Sequence, residues 1–313
     1  MLRWLVVGIG DITKKRVLPA LLDEPRSELA GVVTSDAAKA AVYGVAAWQS
    51  LDTALRHCDA DAVYVATPVS LHAQQTMAAL EAGRHVLCEK PMAMHHREAC
   101  AMQEAAVRTG RTLGVAYYRR NYPKVTRAKE LLEAGVIGQV FLGEATSHEW
   151  LRDEILKNNW RLRRDLAGGG PLYDTASHRI DLLNYLFGQP EKATGYLSTL
   201  VQPIAVEDNA TVMIEYRNGA RGLVDVRWHS KVARDEFRVR GTEGEIDLSP
   251  LNEASLVSPA GVERIPAPLN LHFPCIANFV AAVLDGAPLR SSGETALLTD
   301  WVTEQVTATN RRQ

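Results

Sequence analysis

Across the first 120 residues, short valine-rich apolar runs alternate with longer stretches of helical spacing, a pattern that few arrangements other than repeated βαβ units around a parallel sheet can satisfy. The strands expected are Leu2 to Val7, Leu29 to Val33, Ala46 to Trp48, Ala62 to Ala66, His85 to Cys88 and Thr112 to Val115. Between them, Val17, Leu18, Leu21 and Leu22 make one helix face. Helices over Leu71 to Ala82 and Arg97 to Thr109 stop at Gly83 and Gly110, where positive φ closes a helix at little cost. At 313 residues one core ordinarily divides into two domains, and the pattern changes after Asn121. A helix near Lys124 to Ala134 precedes alternating runs at Ala210 to Tyr216 and Gly222 to Trp228, joined by the hairpin signal Asn218-Gly219. Further runs at Glu236 to Arg240, Glu245 to Leu248 and Ser255 to Val257 extend an antiparallel sheet. Helices at Pro274 to Leu284 and Gly293 to Thr309 finish the chain. The expected fold class is therefore α/β: a Rossmann doubly wound parallel sheet over residues 1–120, then an α+β domain over residues 121–313.

A net charge of -2 lacks the basic excess of a nucleic-acid binder, so the expected partners are small molecules. Cys58, Cys88, Cys100 and Cys275 lie far apart without metal-ligand spacing, which fits a reducing cytoplasm. Met1 to Gly8 reads as a strand too short for a signal peptide, and no apolar run reaches about 18 residues. Neither secretion nor membrane insertion is expected.

Gly8-Ile9-Gly10-Asp11-Ile12-Thr13 follows a strand and opens a helix, as a dinucleotide fingerprint requires. Gly8 allows the tight turn, and Gly10 lets backbone approach a pyrophosphate held at a helix N-terminus. Thr13 stands where glycine or alanine would allow close packing, so the turn alone also fits a simple strand-to-helix bend. At the second strand end, Thr34, Ser35 and Lys39 suit a 2′-phosphate, whereas Asp36 turned inward suits a free ribose hydroxyl. The reading leans to NADP over NAD, with Ser35 or Asp36 as a plain helix cap the alternative. Glu89-Lys90-Pro91 puts a lysine at the carboxyl end of another apolar strand, where open parallel sheets bind ligands, so Lys90 is the first catalytic candidate.

From Gly168 the chain reads GGGPLYDTASHRIDLLNYL, three glycines and a proline before a helix. Asp174, His178 and Asp181 fall four and three residues apart on one stripe, where an imidazole can take a hydroxyl proton and a carboxylate can orient it. The same pattern also describes a helix N-terminal charge with a structural histidine. Too few donors accompany them for a metal site, and none is expected. Arg120, Arg152, Arg161, Arg163 and Arg164 could together form a local anion site, and Arg311-Arg312 reads as a solvated tail.

Taken together, the glycine turn, Ala66-Thr67-Pro68 with His72, Glu89-Lys90-Pro91, Arg119-Arg120-Asn121-Tyr122-Pro123 and the DTASHRID segment resemble the Gfo/Idh/MocA family of NAD(P)-dependent oxidoreductases over nearly the whole chain. The resemblance implies a large open sheet in the second domain that packs against another subunit, giving a homodimer or homotetramer. Lys90, Asp174 and His178 match its catalytic positions. Gly8, Gly10, Asp11, Ile12, Thr13, Thr34, Ser35, Lys39, Thr67, Pro68, His72, Glu89, Lys90, Trp160 and Arg161 would bind cofactor, and Tyr118 and Arg120 would touch substrate. Val69 departs from the asparagine many relatives carry after Thr67-Pro68. The activity implied is hydride transfer between NAD(P) and a carbinol or carbonyl carbon of a sugar, cyclic polyol or related ring compound, with Lys90 and His178 meeting at one nicotinamide. The alternatives are a redox-cycling lyase or glycosidase that retains its dinucleotide, and a non-catalytic dinucleotide sensor.

Overall fold

The computed structural model describes residues 1–151, 156 and 159–310, so Arg152 and the Arg311-Arg312 tail lie outside the described residues. Two compact units divide the chain, Met1–Asn121 with Pro268–Leu297, and Tyr122–Ala267 with the residues from Leu298 onward.

In the first unit, β1 (Leu2–Val7), β2 (Ser27–Val33), β3 (Ala46–Trp48), β4 (Ala62–Val65), β5 (His85–Cys88) and β6 (Leu113–Val115) form one sheet. Their order is β3-β2-β1-β4-β5-β6, and every pairing is parallel. β1 and β4 are buried almost throughout rather than alternately, as a parallel sheet covered on both faces demands. Helices His72–Glu81 and His96–Thr109 supply crossovers, and Gly110 closes the second at φ 64°. The returning helix Phe273–Asp285 packs Phe279 against Trp4, with ring centroids 5.4 Å apart. Strand order reverses between β1 and β4. Here each strand hands one more hydrogen bond to its neighbour: Gly8 N–H donates to Val33 O, Ala66 to Val7, Glu89 to Val65 and Ala116 to Cys88. Four segments remote in sequence thus end level at the carboxyl edge of one sheet.

The second unit holds β7 (Val140–Trp150), β8 (Pro190–Ser198), β9 (Asn209–Tyr216), β10 (Arg221–Arg227), β11 (His229–Gly241), β12 (Gly244–Asp247), β13 (Ser255–Ser258) and β14 (Gly261–Arg264). Their order is β14-β13-β12-β11-β7-β10-β9-β8, antiparallel except where β10 runs parallel to β7. The Asn218-Gly219 turn joins β9 to β10, with Gly219 at φ 85°. Strands β7, β8 and β14 carry no signal strong enough to be read in the sequence. The central β7 escapes because its inward residues are small: a Cβ at Gly143 would stand 2.6 Å from the Leu183 side chain, so the helix Ser177–Phe187 needs that gap. Sheet and helix bury each other through glycine and alanine on one side and leucine on the other.

Candidate active site

Gly8, at φ 91°, is required by the fold itself, since a Cβ there would meet the Ala66 carbonyl oxygen at 2.6 Å. Gly10 differs, for a Cβ on it would meet no atom within 4 Å. Nothing in the polypeptide demands glycine at position 10, whereas close approach of a pyrophosphate would. Thr13, fully buried, donates its hydroxyl to Gly8 O at 2.8 Å and closes the turn from inside. A π-helical turn at Thr13–Val17 leads into the helix Leu18–Asp23, and Asp11 is paired with Lys15 at 2.7 Å while Ile12 is half-buried. The segment therefore fits a dinucleotide's phosphates.

At the end of β2, Thr34 Oγ1 accepts from Asp36 N–H and Ser35 is exposed. Asp36 caps the helix Ala37–Ala41 through the amides of Ala38 and Lys39, and its other oxygen lies 3.4 Å from Lys39 Nζ. The Lys39 amide above all, then the Lys39 ammonium, holds the Asp36 carboxyl below its ordinary range against the burial penalty.

After β4, Thr67 Oγ1 donates to Gln75 Oε1, Pro68 leads into the short turn Val69–Leu71, and Val69 is buried. His72 is buried with Nδ1 2.9 Å from Pro91 O and Nε2 2.9 Å from Thr67 O, so it straps the β4 end to the β5 end. Burial pushes its pKa down against the pull of those carbonyls. Glu89 accepts from Tyr64 OH at 2.9 Å and from the Lys90 amide at 3.2 Å. Lys90 is half-buried, and its peptide bond to Pro91 is cis. Beyond β6, Tyr118 stacks on His272, with centroids 4.4 Å apart. Arg120 is buried, and its guanidinium donates to Arg290 O and to the hydroxyl and carbonyl of Thr295.

The second unit carries Asp174 on a π-helical turn, Leu172–Ala176, that runs into the helix Ser177–Phe187, whose second residue is His178. Asp174 is half-buried and His178 is 8% exposed, while Asp181 faces inward against Thr299, whose hydroxyl lies 3.4 Å from its carboxylate. Trp228 Nε1 donates to Thr175 Oγ1 at 3.2 Å, fixing the turn from β10's end. Trp160 opens the short turn Trp160–Leu162 with the Arg161 guanidinium 4.8 Å over its ring. Arg163 pairs with Asp165 and Arg164 with Glu207, so each described arginine of the proposed anion cluster has its own protein partner.

Glu207, unmarked by any sequence pattern, holds the Asp174 turn. Its Oε1 accepts from the amides of Gly170 at 2.7 Å and Leu172 at 3.4 Å, and a Cβ on Gly170 would lie 2.0 Å from the Glu207 carbonyl. Burial pushes this carboxyl above its ordinary range, more than the amides and Arg164 pull it down. A raised folded-state pKa means that the stabilisation is complete in acid and declines as pH rises through that pKa. Glu207→Ala, which strands two buried amides, is expected to cost about 2–4 kcal/mol, and Glu207→Gln under about 1 kcal/mol with the decline abolished. Urea midpoints between pH 5 and 8 check both.

Among the described residues, no group of three or more His, Cys, Asp or Glu could hold a metal ion, and no helix is long and apolar enough to cross a membrane.

A reversed parallel sheet, a glycine turn whose second glycine the fold does not need, and a lysine level with it define a dinucleotide-binding protein of the Rossmann class. Residues 2–117 match the profile described as "Oxidoreductase family, NAD-binding Rossmann fold", and residues 125–247 match the "GFO/IDH/MocA C-terminal domain". An oxidoreductase of Formosa agariphila is 30% identical over 83% of this chain and 83% of its own. The 1,5-anhydro-D-fructose reductase of Ensifer adhaerens is 29% identical over 94% of this chain and 92% of its own. Aldose-aldose oxidoreductase of Caulobacter crescentus, solved with glycerol, superimposes with a TM-score of 0.89 at 26% identity, covering 99% of this chain and 98% of that one. The chain belongs to the Gfo/Idh/MocA family of NAD(P)-dependent oxidoreductases.

Proposed function

We propose that this protein transfers a hydride between NAD(P) and the carbinol or carbonyl carbon of a sugar, cyclic polyol or related ring compound. The observation that carries the reading is the placement of Lys90 beside Glu89 at the carboxyl end of β5, level with the Gly8 turn across the reversal in strand order. The names of the Ensifer and Caulobacter relatives supply the sugar class.

The bound dinucleotide supplies the hydride acceptor, or the donor in the reverse direction. In oxidation, His178 takes the substrate's hydroxyl proton as its carbinol C–H bond breaks. Lys90 stabilises the developing alkoxide with its positive charge, and Asp174 holds the lysine or a neighbouring hydroxyl in place. In reduction, Lys90 polarises the carbonyl and His178 returns the proton. Gly8, Gly10, Asp11, Ile12 and Thr13 seat the pyrophosphate, Thr34, Ser35 and Lys39 face the adenosine ribose, and Thr67, Pro68, Glu89, Trp160 and Arg161 line the rest. Tyr118 touches substrate. His72 and Arg120 support these contacts from beneath, since backbone carbonyls and Thr295 already engage their polar atoms. Against the lean to NADP drawn from Thr34, Ser35 and Lys39, the pairing of Asp36 with Lys39 at the β2 end supports NAD.

Copies of the chain pair through the outer face of the eight-stranded sheet, in a reducing cytoplasm that keeps the four cysteines as thiols. One row across that face is Val262, Val257, Asp247, Arg238, Glu144, Leu223, Met213 and Thr194, in register from β14 to β8. Met213 and Val262 on it are 51% and 69% exposed, apolar side chains that a second subunit would cover. Light scattering is expected to report a dimer or tetramer, and Met213→Lys a smaller species.

A panel of sugars and polyols assayed with NAD and NADP separately tests the function. The expected result is a nicotinamide absorbance change with a ring polyol, stronger with NAD. Turnover without net absorbance change would replace this reading with a redox-cycling lyase or glycosidase, and binding without chemistry would replace it with a sensor.

A further inference from the structure

We infer that His272 positions the reaction centre from below, anchoring the Glu89 carboxylate whose other oxygen holds the Lys90 amide, and backing the ring of Tyr118. The inference deepens the proposed function and rests on it for the part played by Lys90.

His272 enters from the segment that returns to the first unit late in the chain, and is 1% exposed. Its Nε2 lies 3.4 Å from Glu89 Oε1, within ion-pair distance, its ring packs 4.4 Å from Tyr118, and neither ring nitrogen makes a geometrically formed hydrogen bond among the described residues. Its own amide donates to Asn270 Oδ1, and Asn270 Nδ2 donates to Arg16 O, at the end of the glycine turn's first helical residues. Asn270 therefore ties the His272 backbone to the helical turn that follows the glycine turn, while the His272 ring meets Glu89.

The chemistry of Glu89 shows what His272 contributes. A carboxylate 7% exposed would take a proton unless charge and hydrogen bonds compensate. Tyr64 donates to it but brings no charge, because burial first and then Glu89 itself push the phenol well above its ordinary pKa. Burial pushes Glu89 up, yet the His272 imidazole 3.4 Å away, with the charge of Lys90 and the bond of Tyr64, brings it below the ordinary carboxylate range. The other titratable groups facing this cluster are Cys88 beside Glu89, Cys275 on the helix Phe273–Asp285, His72, held toward the neutral form, and Arg119, 5.5 Å over the Tyr118 ring. His272 acts on Glu89 more strongly than Lys90 or Tyr64 does, so it is the group whose loss is expected to let Glu89 protonate.

Two substitutions in the full chain separate its parts. His272→Phe keeps a ring against Tyr118 and removes the donor; His272→Gln keeps a donor and removes the ring. The phenylalanine variant is expected to raise the acid limb of kcat/KM by one pH unit or more, a loss of about tenfold at a fixed acid pH. The glutamine variant is expected to keep the limb and raise KM for the substrate. His272→Asn, too short to reach Glu89, carries the same expectation as phenylalanine should that variant not fold. An infrared titration without substrate, with the Glu89 carboxyl band identified by its loss in Glu89→Gln, should show the same upward move. An unmoved limb and an unmoved band in both donor-lacking variants would overturn the inference even if Lys90→Met abolishes turnover. If instead Lys90→Met keeps turnover, the proposed function fails, and a moved band would still establish the anchoring of Glu89 by His272.

Discussion

Lys90→Met is expected to lower kcat by about 10²–10³-fold, the loss typical when one charged or hydrogen-bonding stabiliser of a developing oxyanion is removed. Dinucleotide affinity should change little, because methionine keeps the length of the apolar stem and the proposed phosphate seat is the glycine turn. The backbone bond from the Lys90 amide to Glu89 survives the substitution. Single-turnover absorbance at 340 nm and a fluorescence titration with reduced dinucleotide measure the two quantities separately, 340 nm being roughly the wavelength at which reduced nicotinamide absorbs. Near-normal kcat would remove Lys90 from the chemistry. A parallel loss of affinity would make it a cofactor ligand only.

Gly8→Val should give the largest loss of stability, about 3–5 kcal/mol, through a positive φ that a β-branched residue resists and a Cβ driven against the Ala66 carbonyl. Gly10→Ala should leave the urea midpoint within about 0.5 kcal/mol of the parent, because nothing in the protein meets the added methyl. Its effect falls on the ligand: reduced-dinucleotide affinity is expected to drop about tenfold or more, since backbone approach to the pyrophosphate is blocked. Equal destabilisation by both changes would mean that Gly10 serves the turn. Unchanged affinity in Gly10→Ala would move the phosphate site elsewhere.

The parallel sheet is legible residue by residue because its strands are continuous apolar runs, and β1, β4 and β5 fall within a residue of where valine and leucine place them. The Asn218-Gly219 hairpin is legible for a local reason too, the positive φ its type of turn requires. By contrast, β7 is hidden although it is central, because Gly143 and Ala145 on its inner side are small enough to admit Leu183 and Phe187. Thr13 reads as an anomaly in the fingerprint, and only its hydroxyl on Gly8 O makes sense of it. Arg120 and His72 look available in the sequence, yet Arg120 is committed to the Arg290 carbonyl far along the chain and His72 to the carbonyls of Thr67 and Pro91.

Local chemistry and periodicity determined which segments are strands and where glycines turn them, and pointed to the lysine and histidine that the proposed mechanism uses. Tertiary structure alone decided which buried partners hold those groups: Glu207 under the Asp174 turn, and His272 against Glu89. The physical reason is that a buried carboxylate is stabilised by whatever donors packing brings within about 3 Å. Those donors here come from 37 and 183 residues away, the latter being 272 minus 89, where no pattern along the chain records them.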